Sequence, residues 1–496
     1  MKKLLRFLYS RYTLATFVHL IPLVPFFMLC LLLDGRGTVA VLVCAMSSSA
    51  TVAALYECDM PSLQKRLWLC FALLFPLPTF TAFLSSFTAH DPGNEHINDK
   101  HVKTEAIRKT YDGISTERMA EALLFGLDEI RVYSGTRGDY IGDGGEYFDM
   151  LLHDIENAKA SIHLEYYIVA DGTMLSRISE LLIKKARTGC DVRLLYDGLG
   201  TLGGISSHMA KRLRSGGVVL RSYDSSLAAP VTWHNRRDHR KAAVIDGRIA
   251  YVGGINLSDE YANINCRLGH WKDCAVRLEG DCAHGIDREY ERMWHKGDSP
   301  LTVKEVTCAT VGDGALFAPF FSFPRRLGGG SVGKEVYMRL IDSSRSSFYI
   351  TTPYLIIDGD IVRTLTAAVR RGVDVRIIIP HVKDKAAVGF VTNETARRLW
   401  AVGVKIHEYS PGFIHQKLTI SDGRIAAIGT LNLDYRSFYH NCELGVIAFG
   451  GSVVDEARDD FLLAWELSAR PQSVGKCGSY FNKLICGALR ILSPLF

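Results

Sequence analysis

The segment HRKAAVID at residues 239–246 recurs as HQKLTISD at residues 415–422. Both copies read His-x-Lys-x4-Asp and continue Gly-Arg-Ile-Ala. Both then reach an asparagine 17 residues past the histidine, Asn256 in GRIAYVGGINLSDEY and Asn432 in GRIAAIGTLNLDYRS. A single His-x-Lys is an ordinary surface or core pair. Two copies in register, with matching residues downstream, mark a duplicated unit that closes on its twin. The chain is therefore expected to fold as two similar halves sharing one site, which holds His239, Lys241, His415 and Lys417.

A second repeat supports the first. ARTGCDVRLLYD at residues 186–197 lies beside VRRGVDVRIIIP at residues 369–380 in composition and pattern. In the first half, residues 161–169 read as a strand, 174–188 as a helix and 191–200 as the next strand. In the second half, 347–356, 361–371 and 374–380 repeat that order. Strand–helix–strand units with apolar strands predict an α/β fold, its sheets largely parallel and covered by helices on both faces. A glycine-rich stretch, residues 327–333, marks the expected join between the halves.

At 496 residues the chain has room for two or three domains, and its net charge of +5 does not by itself argue for nucleic acid. The N-terminal region argues for a membrane. Residues 13–33 form an uncharged apolar run behind Lys2, Lys3, Arg6 and Arg11, and residues 67–87 form another of the same length. Each is long enough to cross a bilayer as a helix. The first is too long for a cleaved signal peptide. Between them, residues 38–56 are apolar but diluted by Ser47, Ser48, Ser49 and Thr51, so the anchor has two or three spans, and the face carrying the site changes with that number. The expected layout is a multi-pass anchor at 1–88, a polar connector at 89–113, a first half at 114–326 and a second at 327–475. A C-terminal segment, 476–496, has aliphatic residues at helical spacing around Lys483 and Arg490. It fits an amphipathic helix on the bilayer surface or one packed on the chain's own core.

The motif residues suit phosphoryl chemistry. On a strand, His and Lys two residues apart project from the same face. Histidine titrates nearest neutral pH and can act as nucleophile or proton donor. Lysine presents a compact cation to a phosphate oxygen. Two facing pairs supply one imidazole to attack phosphorus, another to protonate the departing oxygen, and two ammonium groups for the phosphoryl charge. Asn256 and Asn432 can add neutral donors to the same oxygens. Asp273 in HWKDCAV and Glu443 in HNCELGV occupy comparable later positions, where a carboxylate can fix each imidazole's tautomer. Asp246 and Asp422 complete the motifs but lie seven residues from their histidines, a spacing suited to orienting backbone or lysine. The 12 cysteines form no CxxC pair, and no zinc set is expected.

With these residues in view, the chain resembles the phospholipase D superfamily, and within it bacterial cardiolipin synthases. HRKAAVIDGRIAYVGGINLSDEY and HQKLTISDGRIAAIGTLNLDYRSF match the two signature motifs. IHLEYYIVADG, KKARTGCDVRLLYDGLG, ITTPYLIIDGDI, RRGVDVRIIIP, WKDCAVRLEG and the terminal LSPLF follow in the same order, behind similar apolar runs. The resemblance implies two pseudo-twofold-related phospholipase D-like α/β domains behind transmembrane helices, with no metal or soluble cofactor. It implies His239, Lys241, Asp246, His415, Lys417 and Asp422 as the catalytic set, with His239 as nucleophile and His415 as acid and then base. The implied reaction moves a phosphatidyl group from one phosphatidylglycerol to another through a phosphohistidine, giving cardiolipin and glycerol. Partners would be phosphatidylglycerol and membrane lipids, not nucleic acid, since no basic stretch interleaved with aromatics is present; oligomeric state is left open. The rival readings are another phosphatidyltransferase or a lipid hydrolase of the same superfamily, because acceptor choice lives in the pocket wall. A catalytically dead membrane scaffold is the reading least compatible with two intact motifs.

Overall fold

The computed structural model describes residues 115–127, 130–223, 237–295, 314–324 and 331–471. The expected spans, the connector and the C-terminal amphipathic segment lie outside the described residues. Among those described, no helix is long and apolar enough to cross a membrane.

The duplication in sequence is a duplication in topology. One sheet has the strand order Thr136–Ile141, Ala275–Gly280, Ile249–Gly253, Lys241–Ile245, Ser161–Tyr166, Asp191–Asp197, Val219–Tyr223. The other runs Leu316–Ser322, Asn441–Phe449, Ile425–Gly429, Leu418–Ser421, Ser347–Thr351, Asp374–Pro380, Lys405–Tyr409, and then Ser468–Ala469. In both sheets the first four neighbouring pairs are antiparallel and the next two are parallel. The sheets are thus mixed but mostly antiparallel, which corrects the expectation of largely parallel sheets.

The reason lies in the motif itself. Asp246 and Gly247 have φ of 54° and 63°, and Asp422 and Gly423 have 53° and 62°. Two successive residues in the left-handed region make the tight turn that Asp-Gly favours, and such a turn joins antiparallel strands. The N–H of Arg248 donates to the Ile245 carbonyl at 3.0 Å, and that of Arg424 to Ser421 at 3.0 Å, closing each hairpin. The strand–helix–strand units seen in the sequence supply only the parallel edge.

Each turn is tied to the start of the neighbouring strand by its aspartate. The Asp246 carboxylate accepts the backbone N–H groups of Lys159, Ala160 and Ser161 at 2.7–3.1 Å. That of Asp422 accepts those of Arg345, Ser346 and Ser347 over the same range, plus the Ser346 hydroxyl. These backbone donors would otherwise lack partners at a strand end.

Three large cores and one small one hold the described residues together. The helices Gly144–Asn157, Thr173–Arg187 and Ser207–Ser215 pack on the outer face of the first sheet. Val332–Ser343, Gly359–Arg370 and Ala386–Ala401 do the same for the second. On the inner faces the two sheets meet along their motif strands, and one helix from each half covers the remainder. Ala242, Val244 and Val252 from one sheet share a core with Leu418, Ile420 and Ile428 from the other, joined by residues of the helices Asp281–Trp294 and Ser452–Glu466. Alternate residues of each strand therefore face the partner sheet, as the pleat requires. Helices thus lie on both faces of each sheet, with the inner side shared between a helix and the opposite sheet.

The boundary between halves also moves. Leu316–Ser322, placed by sequence in the first half, is an edge strand of the second sheet. Pro319 in its middle fits an edge, where one missing N–H leaves no neighbour unpaired. The helix Thr116–Leu124 likewise packs into the second half's core through Ala120, Leu123 and Leu124. Of the glycine-rich join, residues 327–330 lie outside the described residues, and Gly333 sits in the helix Val332–Ser343. Removing the Asp422 carboxylate (Asp422→Ala) strips a charge-assisted cap worth roughly 1.5–3 kcal/mol. Melting of the full-length protein in detergent should show a midpoint several degrees lower, and an unchanged midpoint would contradict this anchoring role.

Candidate active site

The short segments before each His-x-Lys do not pair within their own half. Arg237–Asp238 pairs in parallel with Asn441–Cys442 of the second half, and the His239 N–H donates to the Cys442 carbonyl at 2.9 Å. The next residue on each strand is His239 on one side and Glu443 on the other. In the mirror arrangement, Gly412–Ile414 pairs in parallel with His270–Lys272 of the first half, and the His415 N–H donates to the Lys272 carbonyl at 2.7 Å. The next residues are His415 and Asp273. Backbone register alone therefore delivers each histidine to a carboxylate of the opposite half.

The side chains complete that delivery. His239 Nδ1 lies 2.9 Å from Glu443 Oε2 and 3.0 Å from Oε1, and His415 Nδ1 lies 2.6 Å from Asp273 Oδ2. Glu443 also accepts the Thr430 hydroxyl and the Asn441 amide N–H. An ionised carboxylate only accepts, so the proton of each neutral imidazole is assigned to Nδ1. That leaves Nε2 with its lone pair free. Lys417 Nζ stands 2.8 Å from His415 Nδ1 as well, but one atom cannot donate to Asp273 and accept from Lys417 together. We assign the lysine's bond to the His415 carbonyl, which it also reaches, just as Lys241 Nζ reaches the His239 carbonyl.

Aromatic rings wall the imidazoles. Tyr167 meets His239 edge-on with centroids 4.9 Å apart, and Lys241 Nζ lies over the Tyr167 ring. His415 is surrounded by Tyr261 at 5.4 Å, Trp271 at 5.3 Å and Phe413 at 6.0 Å. This enclosure governs the charges, because taking an ion out of water disfavours its charged form. Burial, reinforced by Lys241 and Lys417 against the pull of Glu443, brings His239 down to about 4. Burial, Lys417, Lys241 and His239 together hold His415 well below the usual imidazole range. Lys241 falls to about 7 and Lys417 to about 8, chiefly by burial and against the attraction of the nearby carboxylates. Asp273 is pushed up to about 7 by burial despite Lys417. Glu443 stays below the ordinary glutamate value because His239 and Lys241 outweigh its burial. Burial and the neighbouring lysines thus both disfavour positive charge here, and a bound anion would offset both.

Of the residues singled out by sequence, His239, Lys241, His415, Lys417, Asp273 and Glu443 converge here. Asp246 and Asp422 do not. Each sits at a turn beyond its strand, roughly 20 Å along an extended chain from its histidine, with its oxygens taken by backbone amides. Their place in a catalytic set is therefore corrected to an anchoring one. Asn256 is buried, its Oδ1 accepting the Ile168 N–H at 3.0 Å and its Nδ2 donating to Tyr261 Oη at 2.6 Å. It braces the aromatic wall, which leaves little of its amide for a phosphate. Asn432 is buried with an Oδ1 that has no partner among the described residues. Sequence reasoning missed the wall itself, Tyr167, Tyr261, Trp271 and Phe413. Their signal was present as aromatics flanking the motif strands, but aromatics in strands usually mean core. Among the described residues, no cluster of His, Cys, Asp or Glu is arranged to hold a metal ion, and the five described cysteines are free thiols.

Two topologically equivalent α/β units that exchange strands around facing His-Lys pairs define a phospholipase D-type enzyme. The comparisons place the chain within that class. Residues 151–294 and 337–465, together more than half of the chain, match the family described as cardiolipin synthase, phospholipase D-like domain. A cardiolipin synthase of Alkalihalophilus pseudofirmus is 32% identical over 450 residues, 86% of this chain and 88% of that one. An uncharacterized protein of Streptococcus mutans is 33% identical over 462 residues, 90% of this chain and 99% of its own. The crystal structure of a phosphatidylserine synthase from Haemophilus influenzae shares the fold, with a TM-score of 0.58 at 13% identity, covering 77% of this chain and all of that one. The chain belongs to the cardiolipin synthase family of the phospholipase D superfamily and is a phosphatidyltransferase of that type.

If the carboxylates set the tautomers, Glu443→Gln and Asp273→Asn should each lower kcat by about 10²–10⁴-fold while leaving the fold intact. Rates measured on variants with an unchanged melting midpoint test this, and losses below about threefold would contradict it.

Proposed function

We propose that the enzyme transfers a phosphatidyl group between two phosphatidylglycerol molecules, giving cardiolipin and glycerol through a phosphohistidine on His239. The observation that carries this reading is the exchange of carboxylates between the halves, which holds each imidazole by Nδ1 and brings the two His-Lys pairs near enough to act on one another electrostatically. The relatives named cardiolipin synthase support the choice of lipid. Residues 1–88 would anchor the enzyme as a multi-pass protein in the membrane that holds its substrates, with the first half beginning near the strand Thr136–Ile141 and the second near Leu316–Ser322.

In the first step, His239 Nε2 attacks phosphorus and the P–O bond to the headgroup glycerol breaks. His415, protonated at Nε2, gives its proton to the departing oxygen. Lys241 and Lys417 hold the phosphoryl oxygens, with Asn432 placed to add a neutral donor. In the second step, His415 takes the proton from a hydroxyl of the second phosphatidylglycerol. That oxygen attacks phosphorus, the P–N bond breaks, and His239 leaves with its lone pair restored. The two steps together release one glycerol and consume no other reagent. Burial of the phosphohistidine by Tyr167 keeps bulk water from competing with the lipid hydroxyl.

His415 must carry a proton that burial and the nearby lysines resist. A bound phosphodiester supplies the missing negative charge, so its arrival raises the affinity of His415 for a proton. The acid limb, set by His239 losing its lone pair, lies well below the ordinary imidazole range. The alkaline limb, set by His415, sits at higher pH in kcat than in kcat/KM, because the first reports the lipid-bound enzyme and the second the free one. Profiles taken on phosphatidylglycerol vesicles check both; coincident alkaline limbs, or an acid limb centred near the unperturbed ~6.5, would count against this charge balance.

Phosphorus-labelled phosphatidylglycerol provides the test of the covalent step. Rapid quenching should trap an acid-labile, base-stable label on the wild-type enzyme, mapping to the peptide with His239, and none on His239→Ala. Products should be cardiolipin and glycerol. Phosphatidic acid alone would assign a hydrolase, and a label on the His415 peptide would reverse the two roles.

A further inference from the structure

The pseudo-twofold symmetry breaks at one pair of corresponding loops. After the strand Asp191–Asp197, residues 198–205 read GLGTLGGI, uncharged and glycine-rich, with Leu202 48% exposed. This loop lies against the His239 side of the site, since a Cβ on Gly200 would come within 2.3 Å of the Tyr167 carbonyl oxygen. After the equivalent strand Asp374–Pro380, residues 381–385 read HVKDK. There Asp384 Oδ2 accepts the Tyr354 hydroxyl at 2.6 Å, and Lys385 Nζ lies over the Tyr354 ring. Tyr354 is fixed close to the motif strand. It follows the strand Ser347–Thr351, whose Thr351 pairs with Leu418 next to Lys417, and it precedes Leu355, which pairs with Leu433 next to Asn432. Asp384 is also near enough to His415 and to the Tyr261 ring beside it to act on both electrostatically. One rim of the site is therefore apolar beside His239, and the other is polar beside His415.

We propose that Asp384, oriented by Tyr354, binds the free hydroxyls of a glycerol headgroup, on the leaving side in the first displacement and on the acceptor side in the second. The proposal rests on the phosphatidylglycerol reading above and adds the residue that selects the headgroup. Its chemistry suits that task. With Oδ2 held by Tyr354, Oδ1 is left to accept from a hydroxyl, and a carboxylate is the strongest neutral-pH acceptor a side chain offers. Water carries no additional hydroxyl to engage Asp384 and gains nothing from it. Asp384 then adds to the exclusion of water by Tyr167 and selects glycerol over hydroxyl-free headgroups.

The test uses full-length enzyme and phosphatidylcholine vesicles carrying either phosphatidylglycerol or phosphatidylmethanol, whose methanol leaving group offers no further hydroxyl. Asp384→Ala should lower kcat/KM for phosphatidylglycerol about 10- to 100-fold, as loss of a charged hydrogen-bond acceptor does, while changing phosphatidylmethanol turnover by less than about threefold. The ratio of phosphatidic acid to cardiolipin should rise in the same variant. Asp384→Glu should recover part of the discrimination, and Tyr354→Phe should lose part of it. Equal losses on both lipids would mean a structural role, and no loss on either would mean no role; each overturns the proposal. A wild-type enzyme that forms no cardiolipin would sink the parent reading instead, and the two-lipid comparison would still judge Asp384.

Discussion

The parallel pairing of Arg237–Asp238 with Asn441–Cys442, and of Gly412–Ile414 with His270–Lys272, is the constraint on which the site depends. Each pairing ends one residue before a histidine and the carboxylate that holds it. Neither half can assemble its own His–carboxylate pair, so neither half is a site by itself. The sheet-on-sheet core built from Ala242, Val244, Leu418 and Ile420 keeps the two crossings in register. A one-residue slip of either strand would turn its histidine to the opposite side.

That architecture creates an electrostatic problem which the reaction then uses. Two lysines and two histidines enclosed by rings and sheets have few ways to keep their charge. Burial pushes both imidazoles toward neutrality and draws both lysines toward pH values near those of a cell. A neutral His239 would suit the proposed attack, having no proton to shed first. In the proposed reaction a bound phosphodiester restores the balance, charging the lysines and allowing His415 to act as an acid. Binding and activation become one event, since the substrate's own charge completes the protonation pattern.

Much of this was legible from the repeated motif, and the failures have physical causes. Equal spacing of His, Lys, Gly and Asn in two copies pointed to two halves, and the comparable later positions of Asp273 and Glu443 pointed to the carboxylates that meet the imidazoles. The Asp-Gly step after each motif already carried the hairpin signal, yet the more conspicuous strand–helix–strand units drew the sheets toward a parallel reading. Asp246 and Asp422 were grouped with the histidines because a motif is read along the chain, whereas a strand carries its two ends far apart. The strand Leu316–Ser322 was hidden because LFAPFFS shows no alternation and has proline at its centre. The aromatic wall around His415 comes from residues 261, 271 and 413, and only the exchange of strands brings these together. No local pattern announces a contact that depends on two chains of residues crossing between halves.

A shared centre and a pair of independent centres differ in one countable quantity. Mixing enzyme with excess phosphatidylglycerol and quenching within the first turnover gives the glycerol released, and the phosphatidyl group trapped, per chain. A single composite site predicts a burst approaching one equivalent per chain, abolished by loss of either histidine. A burst approaching two equivalents, or one that is halved when His239 or His415 is removed, would contradict the claim that the two halves build one active site.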